Sequence, residues 1–252
     1  MAFIHSPKIV TDGLVVYLDA ANTKSYVSGS TTWTDLSGNN TSGSLLNNIT
    51  VYNSAPGISL QFAGVAENSP VGTQYINIQN PTTFDFTNTT FTTSAWVGPQ
   101  TGFVNLNVQY ILSKGCTSGG WGWGFPSLFD SASALKAEIK NGASGVCCTR
   151  YSSNSTVMTL ADIWKHVTVV YTTNTTTTNL NDIQIYINGV LDQGTITKSA
   201  PYGTQSDNLN IGRNTAGNYF TGRLSNVSIY NRGLSPQEIL QNFNAQRSRF
   251  GI

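Results

Sequence analysis

The chain has 252 residues, a formal net charge of +1 and only 10% charged residues, against an average of about 25%. That length can bury a large core as one domain, while the near-neutral balance and the lack of any Lys/Arg stripe exclude an electrostatic basis for binding nucleic acid or an anionic membrane. No apolar run is long enough to span a bilayer, and the first residues carry neither the basic nor the apolar region of a secretion signal, so the chain reads as cytosolic at synthesis.

Residues 1–12 read as an arm ahead of the first strand, with Phe3, Ile4, Ile9 and Val10 apolar and Pro7 favouring an extended path. Such an arm either attaches to a neighbour or folds back as an edge strand of its own domain. Strands are then expected at "GLVVYLDA", "SLQFAG", "QYINI", "FTTSAWV", "QYILSKG", "LKAEIK", "KHVTVVYTT", "NDIQIYINGVL", "LNIGR" and "LSNVSIYN". Alternation is clearest where Val167, Val169 and Tyr171 share one face, and where Ile183, Ile185 and Ile187 do. Asn188-Gly189 reads as a hairpin turn because both residues tolerate positive φ. "SPVG", "NTTTTN", "APYGTQSDN" and "RNTAGN" read as loops, and the threonine-rich run as an exposed hairpin tip.

In "GGWGWGF", Trp121, Trp123 and Phe125 would project from one face of an extended segment. The row could be a sugar platform; the stronger reading is a core face, as aromatics are mostly buried for their apolar area. Trp33, Trp96 and Trp164 read as structural. One helix is clearly marked, near 235–247: Ser235 caps it, Pro236 suits its first turn and Glu238 closes a capping box. Ile239, Leu240 and Phe243 are expected on its apolar face, with Gln237, Gln241, Asn242 and Asn244 in water.

Little in the sequence supports catalysis. The only glutamates are Glu67, Glu138 and Glu238, the aspartates are scattered, and neither a carboxylate pair at strand spacing nor a Ser/His/Asp pattern is present. Cys116, Cys147 and Cys148 have no zinc spacing and do not form a disulfide framework, and two histidines are too few for a histidine-rich metal site. The chain is therefore read as a non-enzyme without cofactor or metal.

The order of "GLVVYLDAAN", "WTDLSGNN", "FTTSAWV", "ILSKG", "IYINGVL", "NIGRN" and "GRLSNVSIYNRGLSPQEI" resembles the laminin-G-like domains of the concanavalin A-like lectin/glucanase superfamily. The resemblance covers nearly the whole chain. It implies an all-β fold, a two-sheet antiparallel jelly-roll sandwich over residues 13–252 with a short C-terminal α-helix, in which first and last strands are neighbours. Some relatives bind calcium there, at positions matched by Asp19 and Asn226; Ala63 stands where an acid is common, and no metal ligand is assigned.

For glycan binding the expected residues are Arg213, Asn214 and Tyr219 in "NIGRNTAGNYF", which could hydrogen-bond hydroxyls and stack on a sugar ring. The opening and closing segments resemble laminin-G-like proteins encoded by tailed bacteriophages. That resemblance implies a structural or adhesion component of a virion, assembled in the host cytoplasm, decorating the capsid or associated with the tail. Its partners would be other virion proteins, further copies of itself and a cell-surface glycan. A cellular carbohydrate-binding lectin is the alternative, and a glycan hydrolase the third reading.

Overall fold

The structure is a computed structural model that describes residues 7–53, 57–63, 73–79, 81–86, 89–98, 109–115, 122–128, 135–141, 145–151, 163–172, 183–192, 194, 196–198 and 207–252. In chain order the described strands are β1 (Leu14–Asp19), β2 (Thr32–Trp33), β3 (Gly43–Leu46), β4 (Thr50–Tyr52), β5 (Ser59–Ala63), β6 (Tyr75–Ile78), β7 (Thr90–Gly98), β8 (Gln109–Gly115) and β9 (Gly122–Leu128). They continue with β10 (Leu135–Asn141), β11 (Gly145–Tyr151), β12 (Lys165–Thr172), β13 (Ile183–Ile187), β14 (Val190–Asp192), β15 (Ile196–Lys198), β16 (Leu209–Ile211) and β17 (Thr221–Tyr230), and the helix α1 spans Pro236–Gln246.

Two antiparallel sheets form. The eight-stranded sheet runs β14-β13-β12-β7-β17-β5-β4, with β1 pairing the second half of β17; the nine-stranded sheet runs β15-β11-β10-β9-β8-β16-β6-β3-β2. β1 and β17, first and last, are paired, with Asp19 opposite Asn226. This is the jelly-roll sandwich that the family resemblance implies. Asn188 and Gly189 adopt positive φ between β13 and β14, as the hairpin reading requires. The threonine-rich tip lies outside the described residues.

The core fills the space between the sheets. Val167, Val169 and Tyr171 of β12 and Ile183 and Ile185 of β13 face Ile76, Ile139, Leu209 and Ile211 of the other sheet. Trp123 is fully buried among Phe86, Phe91 and Tyr171, and Phe91 and Tyr171 stack at 4.6 Å. The core reading of Trp123 is thus confirmed, as are the buried positions of Trp33, Trp96 and Trp164; Trp121 and the side chain of Phe125 lie outside the described set.

Helix α1 covers the outer face of the eight-stranded sheet. Its capping box is complete: the Glu238 amide donates to Ser235 Oγ at 3.3 Å and the Ser235 amide to Glu238 Oε2 at 2.8 Å. Ile239 and Phe243 point inward as expected, and Phe243 joins Trp96, Trp164 and Phe250 in an aromatic cluster. Two expectations for this helix are corrected. Leu240 is 44% exposed, and Asn242 is buried because its side chain is bonded at both ends, accepting from the Val10 amide at 2.8 Å and donating to Tyr230 Oη at 3.0 Å.

These bonds also place the arm. Tyr230 Oη donates to the Val10 carbonyl at 3.0 Å and Gln241 Nε2 to that of Lys8 at 2.7 Å, so residues 8–10 lie against α1 and β17 of their own domain, outside both sheets. Burial holds the Tyr230 phenol up at about 12.

Candidate functional site

The outer face of the nine-stranded sheet is polar by register. Paired residues place Thr32, Ser44, Asn77, Asn210, Ser113, Gly124, Glu138, Thr149 and Thr197 in one row across it. In β6 the alternation sends Ile76 and Ile78 to the core and leaves Tyr75 and Asn77 outside; in β16 it sends Leu209 and Ile211 inward and Asn210 out. Three asparagines then link. Asn77 Nδ2 donates to Asn210 Oδ1, Asn208 Nδ2 to Asn77 Oδ1, and Asn210 Nδ2 to the Asn208 carbonyl, each at 3.2 Å.

Gly212 bends the chain at the end of β16. Its φ is +85°, a Cβ there would meet the Phe62 ring at 2.7 Å, and its amide donates to the Ile111 carbonyl at 2.8 Å. Arg213 consequently lies back over the outer face, its Cζ 3.4 Å from the centroid of the Tyr75 ring and its Nε donating to Asn210 Oδ1 at 3.3 Å. This is a cation-π stack in contact. Across a tight turn Arg213 is bridged to Tyr219, whose ring stands 6.4 Å from that of Tyr75 at 52°. Tyr75, Arg213 and Tyr219 are all half-buried.

Of the three expected site residues, Arg213 and Tyr219 come together on this surface. Asn214 is only 1% exposed; its Oδ1 accepts from the Asn218 amide at 3.0 Å, so it contributes the shape of the turn. Sequence reasoning missed Tyr75 and the three asparagines. The available signal was the alternation in "QYINI", which leaves Tyr75 and Asn77 on the face opposite Ile76 and Ile78.

Two other polar clusters are built around carboxylates. Glu138, fully buried in the same row, is 2.8 Å from Lys136 Nζ and accepts from Tyr110 Oη. Asp19 is gripped by Arg249, Nη1 to Oδ2 at 2.8 Å and Nη2 to Oδ1 at 2.9 Å, and takes further bonds from Tyr17 Oη and the Ala21 amide. Both carboxylate oxygens are thus bound to a cationic side chain, and the position does not fit calcium, which needs about six to eight oxygens. Among the described residues no group of three or more His, Cys, Asp or Glu could hold a metal ion. An open pocket of about 500 Å³ lies between β3, β4 and the loop before β2, lined by Tyr26, Ser28, Ser30, Thr31, Asn47 and Asn48 among others.

A polar, aromatic-bearing outer face on a two-sheet jelly roll defines a lectin-like sandwich. The chain belongs to a laminin-G-like family of the Concanavalin A-like lectin/glucanases superfamily, whose model matches residues 70–240, about two thirds of its length. No curated protein sequence matches the chain. Among solved structures it is similar to the binding domain of Paraclostridial Mosquitocidal Protein 1, at 20% identity and a TM-score of 0.64, covering 93% of this chain and 52% of that one. It is also similar to the binding domain of botulinum neurotoxin DC in complex with rat synaptotagmin II, at 17% identity and a TM-score of 0.64, covering 94% and 52%. A Trypanosoma rangeli sialidase in complex with the inhibitor DANA matches at 16% identity and a TM-score of 0.63, covering 98% and 36%. The chain therefore spans about half the length of the toxin binding domains and about a third of the sialidase.

Proposed function

We propose that this protein is a non-catalytic adhesion component of a tailed-bacteriophage particle, decorating the capsid or associated with the tail in many copies, and that it holds surface glycan on the Tyr75–Arg213–Tyr219 platform. The observation that carries the glycan reading is the platform itself: two tilted tyrosine rings and a fixed guanidinium, half-buried beside the half-buried amides of Asn77 and Asn208. Rings stack on the apolar faces of sugars while amides and guanidinium donate to hydroxyls. The virion setting is supported by the resemblance of the opening and closing segments to phage-encoded laminin-G-like proteins.

Glycan-array or calorimetric binding tests the first part, with folding checked by circular dichroism. Tyr219→Ala should weaken binding at least tenfold, whereas Leu240→Ala, on the opposite side of the sandwich, should leave it unchanged. Equal loss in both, or none in Tyr219→Ala, would move the site elsewhere. Mass spectrometry of gradient-purified particles tests the second part: the protein should sediment with capsid or tail proteins, and its recovery only in the soluble fraction would favour a cellular lectin. No reducing ends should appear when the protein is incubated with a polysaccharide panel; turnover abolished by Glu138→Gln would favour a hydrolase.

A further inference from the structure

We infer that the glycan held on this platform is acidic, its carboxylate docking on the free end of the Arg213 guanidinium while the sugar ring lies against Tyr219. The inference rests on the glycan reading above and narrows it to uronic or nonulosonic acids. Its starting point is charge accounting among the arginines. Arg232 pairs with Asp12 and Glu238, and Arg249 with Asp19. Arg213 differs from both: among the described residues no carboxylate pairs with it, and unlike Arg247, which also lacks one but is exposed, it is half-buried.

A half-buried guanidinium without a counter-charge is costly unless something else compensates. Here the compensation is incomplete. The Tyr75 ring covers one face at 3.4 Å and Asn210 Oδ1 takes Nε at 3.3 Å, and these two contacts fix the group in place. They leave the edge formed by Nη1 and Nη2. That edge offers two parallel donors, the geometry that matches the two oxygens of a carboxylate, and charge-assisted pairs of this kind are about twice as strong as neutral hydrogen bonds.

The surroundings favour an anion as well. The described side chains that meet Arg213 or share its part of the row are Tyr75, Asn77, Asn208, Asn210 and Tyr219, and none of these is acidic. Because the guanidinium is already immobilised, little further side-chain entropy is lost when the anion binds.

The test compares oligosaccharides ending in glucuronic, galacturonic or N-acetylneuraminic acid with their carboxyl-reduced counterparts, in which a neutral hydroxymethyl group replaces the carboxylate. Calorimetry on the full chain should show at least one acidic member binding about tenfold or more tighter than its reduced form, with the difference shrinking as salt rises. Arg213→Gln should erase the difference, and Arg213→Lys, which keeps the charge and loses the fork, should retain part of it. Tyr219→Ala should weaken acidic and reduced forms alike. If acidic and reduced forms bind equally, the acidic specificity is overturned while glycan binding stands. If neither class binds to folded protein, the glycan reading itself fails and the inference falls with it. Should Arg213→Gln prove unfolded, the paired-ligand comparison on the unaltered chain and Arg213→Lys still decide.

Discussion

Asp19 and Arg249 meet face to face across 230 residues of chain, two nitrogens to two oxygens at 2.8 and 2.9 Å. Asp19 sits at the end of β1 opposite Asn226 of β17, and Arg249 follows helix α1, so the pair ties the closing segment to the seam between first and last strands. Removing the arginine would leave a buried carboxylate without its partner. Arg249→Ala should cost about 2 kcal/mol, the value for a buried pair discounted for the partial exposure of the arginine, and adding Asp19→Asn should recover part of that loss. Chemical denaturation of the single and double variants checks this. Calcium should leave the Tm of the unaltered protein unchanged, and a rise that chelator reverses would refute the account of Asp19.

The helix carries its stability in two places. Ser235→Ala removes the cap and should cost about 1 kcal/mol. Phe243→Ala opens the aromatic cluster over Trp96, from which its ring is 5.8 Å, and should cost about 3 kcal/mol. Leu240→Ala, at an exposed position, should lie within about 0.5 kcal/mol of the parent. Urea denaturation gives the order, and equal effects of Phe243→Ala and Leu240→Ala would mean the helix packs differently.

Acid should weaken the fold in two steps. Burial holds His166 at about 3, far below its ordinary 6.5, beneath α1 where Ser94 Oγ lies 2.9 Å from Nε2 and Trp96 and Phe243 flank the ring. Above about pH 6.5 the ring is neutral folded or unfolded and pH has no effect through it. Below that, the unfolded chain takes up a proton that the folded one refuses, so stability falls until the folded value near 3 is reached. Glu238, held at about 2 chiefly by its bonds from Arg232, contributes stability that is present above its ordinary 4.5 and lost as pH falls through 2. Urea midpoints measured at about pH 7 and about pH 5 should drop for the parent and change much less for His166→Gln. Parallel drops in both would show that His166 is protonated in the folded protein.

Deleting residues before Thr11 removes the Val10 side chain and the bonds to Asn242, Tyr230 and Gln241. The truncated chain should remain folded but be destabilised by roughly 2 kcal/mol, since a buried apolar contact and paired polar groups are lost together. A Tm equal to that of the parent would mean the arm's contacts are idle in solution.

Much of the sandwich was legible because alternation is a local property. "KHVTVVYTT" shows its buried face by spacing alone, and β12 runs from Lys165 to Thr172. Strands β2, β3 and β4 were not legible, as two to four residues cannot display a period. Strand β11, from Gly145 to Tyr151, was not legible either, as its sequence shows no clear alternation. On the helix, spacing assigned Asn242 to water because a polar side chain carries no mark of the arm that satisfies it. The site was half legible for a similar reason. Arg213 and Tyr219 share one turn, whereas the contact of Asn77 with Asn210 joins residues 133 positions apart and exists only once β6 and β16 are paired.

Residues 8–10 and the segment after α1 set an orientation. Residues 8–10 and Phe250 both lie on the α1 side of the eight-stranded sheet, and the Tyr75–Arg213–Tyr219 platform lies on the outward side of the other sheet. Residues 8–10 and Phe250 thus lie on one side of a sandwich only two sheets thick, and the platform is turned to the other. A row of such domains held by this α1 side would present its platforms outward in the same direction, like studs on a sole, without any contact between neighbours being needed to aim them.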